Sequence, residues 1–315
     1  MSGPRRERRP GRERGLTEAS DEIVPLRHYG RWISGTIALL FLALVIRAFA
    51  QGEIDWPVVK EFFFSPVLIK GLGNTLLITV LAILMGLVLG VVFAVMRLSK
   101  NPVTNTIAGA YIWLFRGTPV YLQLLIWFNL ALVFPTVNLG FWQGRMVDVM
   151  TPFLAALLGL GINEGAYMTE IVRGGILSVD RGQLEAASTL GMTQLMAMRR
   201  IVLPQAMRVI VPPIGNEFIG LLKASSMAST IAFTEILHRA QLIYFVNAKV
   251  IELLIVAAGW YMIVVTLFTL IQARVEQHFA RGQSHEPPLT HFQKLWRNMV
   301  MRRAPGATAK GGDPR

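Results

Sequence analysis

Residues 185–204 read EAASTLGMTQLMAMRRIVLP. The stretch holds a carboxylate, a lone glycine, two adjacent arginines and a closing proline, and it lies between two segments apolar enough to enter a membrane. Asp180 followed three residues later by Gln183 has the spacing of a capping box, so a short helix is expected to begin near Arg181. Leu184, Ala187 and Ser188 would share one of its faces. Gly191 is placed to end that helix in a left-handed turn, and a second short helix from about Thr193 should stop before Pro204. The small Ala186 and Ala187 permit close approach by a partner surface. The expected object is a helical hairpin that projects from the membrane and is shaped for docking. On these residues alone, an amphipathic helix lying on the lipid surface is the competing reading.

The chain around this stretch has 315 residues, 53% of them hydrophobic and only 16% charged, with a positive mean hydropathy. Those values do not describe a soluble domain with one packed core; they describe a membrane protein. No cysteine is present, which excludes a disulfide framework, a thiolate zinc site and a cysteine nucleophile. Apolar runs are predicted to cross the bilayer at 32–46, 71–96, 107–134, 151–171, 209–233 and 253–271, since roughly 20 residues of helix span the hydrocarbon core. The third is broken near Arg116, Gly117 and Pro119, and the fifth contains Pro212, Pro213, Glu217 and Lys223. Six crossings give an all-α membrane protein with both termini on one side.

The net charge of +12 tests that topology. With both termini in the cytoplasm, 23 of the 31 Lys and Arg residues fall on the cytoplasmic side, six fall outside and two lie within spans. This is the asymmetry that the positive-inside rule requires. The basic excess is thus assigned to orientation and to anionic lipid, with no nucleic acid partner. The quoted loop, with Arg199 and Arg200, is cytoplasmic on this reading. The first run has an alternative as a signal peptide ending at Ala48-Phe49-Ala50. A basic head of about thirty residues and the intrusion of Arg47 favour a retained helix.

Polar residues within the spans mark a second feature, because a charge at mid-bilayer costs about 2.5 to 3.5 kcal/mol even on the lenient insertion scale. Asn163, Tyr167 and Glu170 recur at i, i+4 and i+7 on one helical face, beside Glu164 and after Gly159 and Gly161. Asn216, Gly220 and Lys223 repeat the spacing in the fifth span. Both faces suit the lining of a translocation path, and both equally suit pairing between helices. Glu170 and Arg173 lie near the cytoplasmic end and are read as boundary residues. No Gly-x-x-x-x-Gly-Lys-Ser/Thr loop, G-x-S-x-G elbow or H-E-x-x-H pair occurs, and all five histidines lie outside the spans. No catalytic residue, metal or cofactor is therefore expected. A secondary transporter or channel would call for inverted repeats or an ionisable relay, and neither is evident.

Glu185, Ala186, Ala187, Gly191, Ile201, Leu203 and Pro204 match the EAA loop of importer-type ATP-binding-cassette (ABC) permeases at every signature position. The stretches starting at Gly71 (Gly-Leu-Gly-Asn-Thr), Phe115 (Phe-Arg-Gly-Thr-Pro, with Gln123 following), Gly165 (Gly-Ala-Tyr-Met-Thr-Glu) and Gly182 (Gly-Gln-Leu-Glu-Ala-Ala) resemble the polar amino acid branch over about residues 65–280. The resemblance implies that the last five helices form the permease core and that the 180–204 loop is a coupling helix seated on a cytoplasmic ATPase. It also implies a homodimer or heterodimer, an extracytoplasmic binding protein, a polar amino acid as the small-molecule substrate and a bacterial inner membrane location. Asn163, Glu164, Tyr167, Gln123, Asn216, Lys223 and Ser225 are then candidates for the translocation path. The chain departs from the branch at Lys223-Ala-Ser-Ser-Met, where an acid often follows the lysine, and at Tyr111-Ile-Trp113, where an acid is often present; both weaken a case for a cationic substrate. The remaining expectations are a disordered basic tail at 1–31, an extra N-terminal helix at 32–50 and a disordered basic tail at 282–315.

Overall fold

The computed structural model describes residues 29–138 and 140–279; the two tails expected to be disordered fall largely outside these residues. The chain divides into two units, residues 1–54 and residues 55–315. The described residues of the first include the helix α1 (Tyr29–Gln51), which runs unbroken through Arg47. The Arg47 guanidinium donates to Gln51 one turn on, at 3.3 Å.

The second unit is a helical bundle, with α2 (Trp56–Phe63), α3 (Pro66–Leu98), α4 (Pro102–Gly117) and α5 (Val120–Phe128) followed by a two-stranded antiparallel hairpin of β1 (Thr136–Asn138) and β2 (Gln143–Arg145). Then come α6 (Met146–Val149), α7 (Pro152–Leu177), α8 (Arg181–Thr189), α9 (Gln194–Ala197), a π turn (Met198–Val202), α10 (Leu203–Ala224), a 3-10 stretch (Ser225–Ile231), α11 (Ile236–Asn247) and α12 (Val250–Phe279). Among the described residues, Trp32–Gln51, Pro66–Leu98 and Val250–Phe279 are long and apolar enough to cross a membrane. Of the other expected crossings, the third is split between α4 and α5, and those in α7 and α10 carry charged residues. Several helices overrun the apolar runs, as α3 does at both ends and α12 does from Val250 to Phe279.

Hydrocarbon tails are as apolar as leucine, so helices in lipid associate through close packing rather than through the hydrophobic effect. The α3–α7 pair does this with glycines at four-residue spacing on both helices: Gly86 and Gly90 on one, Gly161 and Gly165 on the other. A Cβ on Gly86 would lie 2.9 Å from the Glu164 side chain, and one on Gly90 would run into Met168. Ile78 and Ala82 of α3, Leu124 of α5, Leu160 and Met168 of α7 and Leu221 of α10 meet in the main core. A second core of Ala94, Val172, Val202, Ala206 and Ile210 joins α3, α7 and α10 next to α8.

The elements not foreseen include α2, the β hairpin and α11. α2 packs on α12, where Trp260 donates to the Phe63 carbonyl at 2.7 Å and stacks on the Phe63 ring. The β hairpin occupies the loop after α5. α11 lies in a segment expected to be a plain extracytoplasmic loop; buried Glu235 caps it by accepting from the Leu237 and His238 amides at 2.8 and 2.6 Å.

Candidate functional site

The quoted stretch forms the expected hairpin, with two corrections. Asp180 caps α8 by accepting from the Gly182 amide at 2.6 Å, but Gln183 does not reach back to close a capping box. Its side-chain oxygen instead accepts from Gln205 at 2.5 Å, which clasps α8 to the start of α10. Gly191 adopts φ +74°, and the paired bonds Met192 N–H to Ala187 and Gly191 N–H to Ser188, both 3.0 Å, close α8 in a Schellman turn. Thr193 then caps α9, accepting from the Met196 amide.

The second correction concerns Pro204. The helix does not stop before it: α9 passes through the π turn directly into α10. The Leu203 amide bonds to the Met198 carbonyl five residues back, and this wider spacing makes room for a proline whose ring would crowd the carbonyl four residues earlier. The second arm of the hairpin and α10 thus form one continuous helix. Of α8, only Ala187 is buried; Glu185 and Ala186 are exposed, as is Gly191 in the turn that follows.

At the α4–α5 break, carbonyls that lose helical partners are capped by side chains, as backbone at membrane depth demands. Thr118 Oγ1 donates to Leu114 at 2.8 Å. Gln123 Nε2 reaches Phe115 and Thr118 carbonyls at 3.0 and 3.1 Å, and Asn163 Nδ2 of α7 reaches the same Phe115 carbonyl at 2.7 Å. Arg116 lies over the Tyr167 ring, 4.9 Å from its centroid. The expected polar face of α7 therefore meets the break in α4, and Gln123 and Asn163 both hold that break together. Glu170 pairs with Arg173 at 2.6 Å.

Asn216, Gly220 and Lys223 of α10 present the opposite picture. Asn216 and Lys223 are exposed, and a Cβ on Gly220 would meet no atom within 4 Å. Lys223 makes no ion pair among the described residues. Glu164 is buried with Oε1 lacking a partner, and it lies within electrostatic reach of Glu217, which in turn feels Arg116. Ser225 is fully buried, donating to the Leu222 carbonyl at 2.7 Å, and belongs to a separate polar group with Thr75, Glu235 and Tyr261. The structure thus divides the seven candidate path residues into the α4–α7 contact, the open α10 face, the Glu164 site and the buried Ser225.

Residues 82–281 match the family described as "Binding-protein-dependent transport system inner membrane component". The chain belongs to this permease family. It is 40% identical to the arginine transport system permease protein ArgU of Corynebacterium glutamicum, over 84% of each chain. It is also 37% identical to the L-cystine transport system permease protein TcyB of Bacillus subtilis, covering 72% of this chain and 92% of that one. A solved amino acid ABC transporter structure superposes with TM-score 0.61 at 37% identity, covering 68% of this chain and 95% of that one. The inward-facing MetNI methionine transporter shares the fold at 19% identity and TM-score 0.55. The permease is a membrane translocation component of the amino acid ABC transporter class.

Two residues of this permease were not among the site candidates drawn from the sequence. Glu217 sits off the Asn216–Lys223 face, so periodicity did not select it, yet it lies within electrostatic reach of Glu164. Glu235 lay in an expected loop, and since glutamate is not among the residues that usually cap a helix, no local signal marked it.

Proposed function

We propose that the protein is the transmembrane subunit of an ATP-driven importer that moves a polar amino acid into a bacterial cell, with hydrolysis on separate cytoplasmic ATPase subunits. The observation that supports this reading is the α8 hairpin: its Glu185-Ala186-Ala187 face is exposed, its turn is closed at Gly191, and its second arm continues into α10. ATP binding draws two ATPase subunits together, the hairpins seated on them move, and α10 carries that movement into the bundle. The path then opens outward to receive substrate from an extracytoplasmic binding protein. Two such subunits, identical or closely related, flank the path, and both termini of each are cytoplasmic. Relatives named for arginine and L-cystine support an amino acid substrate. Lys223, exposed and unpaired on the open α10 face, is the group suited to hold a substrate carboxylate.

The test is reconstitution in proteoliposomes with the cognate ATPase and binding protein. Uptake of a labelled amino acid is expected only with ATP and all components, and Glu185→Lys should abolish it while leaving the permease in the membrane. Uptake driven by an ion gradient without ATPase would overturn the proposal.

A further inference from the structure

A groove of about 810 Å³ runs where the second half of α3 meets α7, the π turn and α10. Val91 and Val95, Ile176, Met198, Met207 and Ile214 line it, and Val95 and Met207 are 61% and 41% exposed. Its volume falls within the roughly 300–1,000 Å³ of sites that enclose ligands. Along α3 it extends from Leu87 to Leu98, roughly 17 Å at 1.5 Å per residue, close to the depth of one leaflet of an about 30 Å hydrocarbon core.

The polarity of this groove is one-ended. Its polar lining residues, Ser99 and Gln194, both sit at the α8 hairpin end, and no carboxylate lines it. At that end Lys100 follows Ser99, and Arg199 and Arg200 follow Met198 in sequence. All three cations are exposed, and none makes an ion pair among the described residues. An aliphatic slot one leaflet deep, with exposed cations next in sequence to lining residues at its polar end, complements a lipid whose chain is apolar and whose head is negative.

We infer that this groove is a binding site for an anionic phospholipid, with one acyl chain between α3 and α10 and its phosphate at Lys100, Arg199 and Arg200. The lipid would brace the π turn that joins the docking hairpin to α10.

The site is tested with the full chain in nanodiscs containing phosphatidylglycerol that carries a diazirine on one acyl chain, compared with the same probe bearing a choline headgroup. The glycerol probe should label peptides containing Val95, Ile176 and Met207, roughly tenfold more than the choline probe. Val95→Trp, at an exposed position, should fill the slot and remove the label. The triple variant Lys100→Glu, Arg199→Glu, Arg200→Glu should erase the headgroup preference. Equal labelling by both probes, label confined to other helices, or persistence of label in Val95→Trp would each overturn the site. Cross-links between two copies through a photoreactive residue at position 95 would overturn it too, by showing that a second chain covers the groove. Labelling is read without ATP or transport, so its failure is distinct from failure of the coupling proposal.

Discussion

The Phe115 carbonyl accepts from two side-chain amides, one in α5 across the break and one in α7, and this decides what Gln123 and Asn163 do. A buried carbonyl left without a partner costs about 1–3 kcal/mol. Gln123→Leu removes bonds to both Phe115 and Thr118, whereas Asn163→Leu leaves Phe115 with Gln123 as a donor. Thermal unfolding of the purified permease in detergent should therefore show the larger fall in midpoint for Gln123→Leu. The two changes together should cost more than their sum. Additive effects would mean that the shared carbonyl is not the link between them. Lys223→Met should behave differently, with an unchanged midpoint and uptake lowered by roughly ten- to a hundredfold through loss of a charge-assisted contact. Sequence periodicity placed Asn163 and Lys223 on equivalent faces, but it could not tell that one faces a broken helix and the other open space. That distinction depends on which neighbour lies across the gap, which helical spacing does not encode.

At the scale of elements, the hairpin and the α3–α7 pair are the most exposed to single changes. Gly191 holds φ +74°, which costs roughly 1–2 kcal/mol for a residue with a Cβ and more for a β-branched one. Gly191→Val should thus weaken the turn, and co-purification of the ATPase with the permease should fall while membrane insertion is kept. Gly90→Leu drives a side chain into Met168 and should lower the amount of folded permease recovered from membranes, with a milder loss for Gly90→Ala. The hairpin was legible before the structure because its signals are local: Asp180, Gly191 and Thr193 each act on neighbours within three residues. The continuation through Pro204 was not legible, since a proline reads as a stop unless the turn before it widens. α2 and α11 were hidden for a related reason, being too short to show a spanning run and held by distant partners such as Trp260 for α2 and Thr75, whose hydroxyl accepts from the Ile236 amide.

For the whole molecule, single cysteines introduced into this cysteine-free chain give an orientation test without background. Val147→Cys, 60% exposed after the β hairpin, should react with an impermeant maleimide added to intact cells, and Gln194→Cys should react only after lysis. Reaction at position 194 in intact cells would reverse the arrangement and remove the ATPase from the hairpin. Hydropathy alone located all the helices of the bundle that the apolar runs marked, but it says nothing of the angle between them or of what joins one to the next. The unbroken passage from α9 into α10 is such a junction, and it makes α10 a lever. Its 22 residues give an arm of roughly 33 Å, so a 10° swing at the hairpin end displaces the far end by roughly 6 Å. Partway along the arm, Pro212 and Pro213 remove two consecutive N–H groups, while Gln272 of α12 grips the Pro212 carbonyl at 2.8 Å. If the hairpin moves as proposed, the give in the arm at Pro212–Pro213, braced by Gln272, would divide each stroke between motion of the far side and bending.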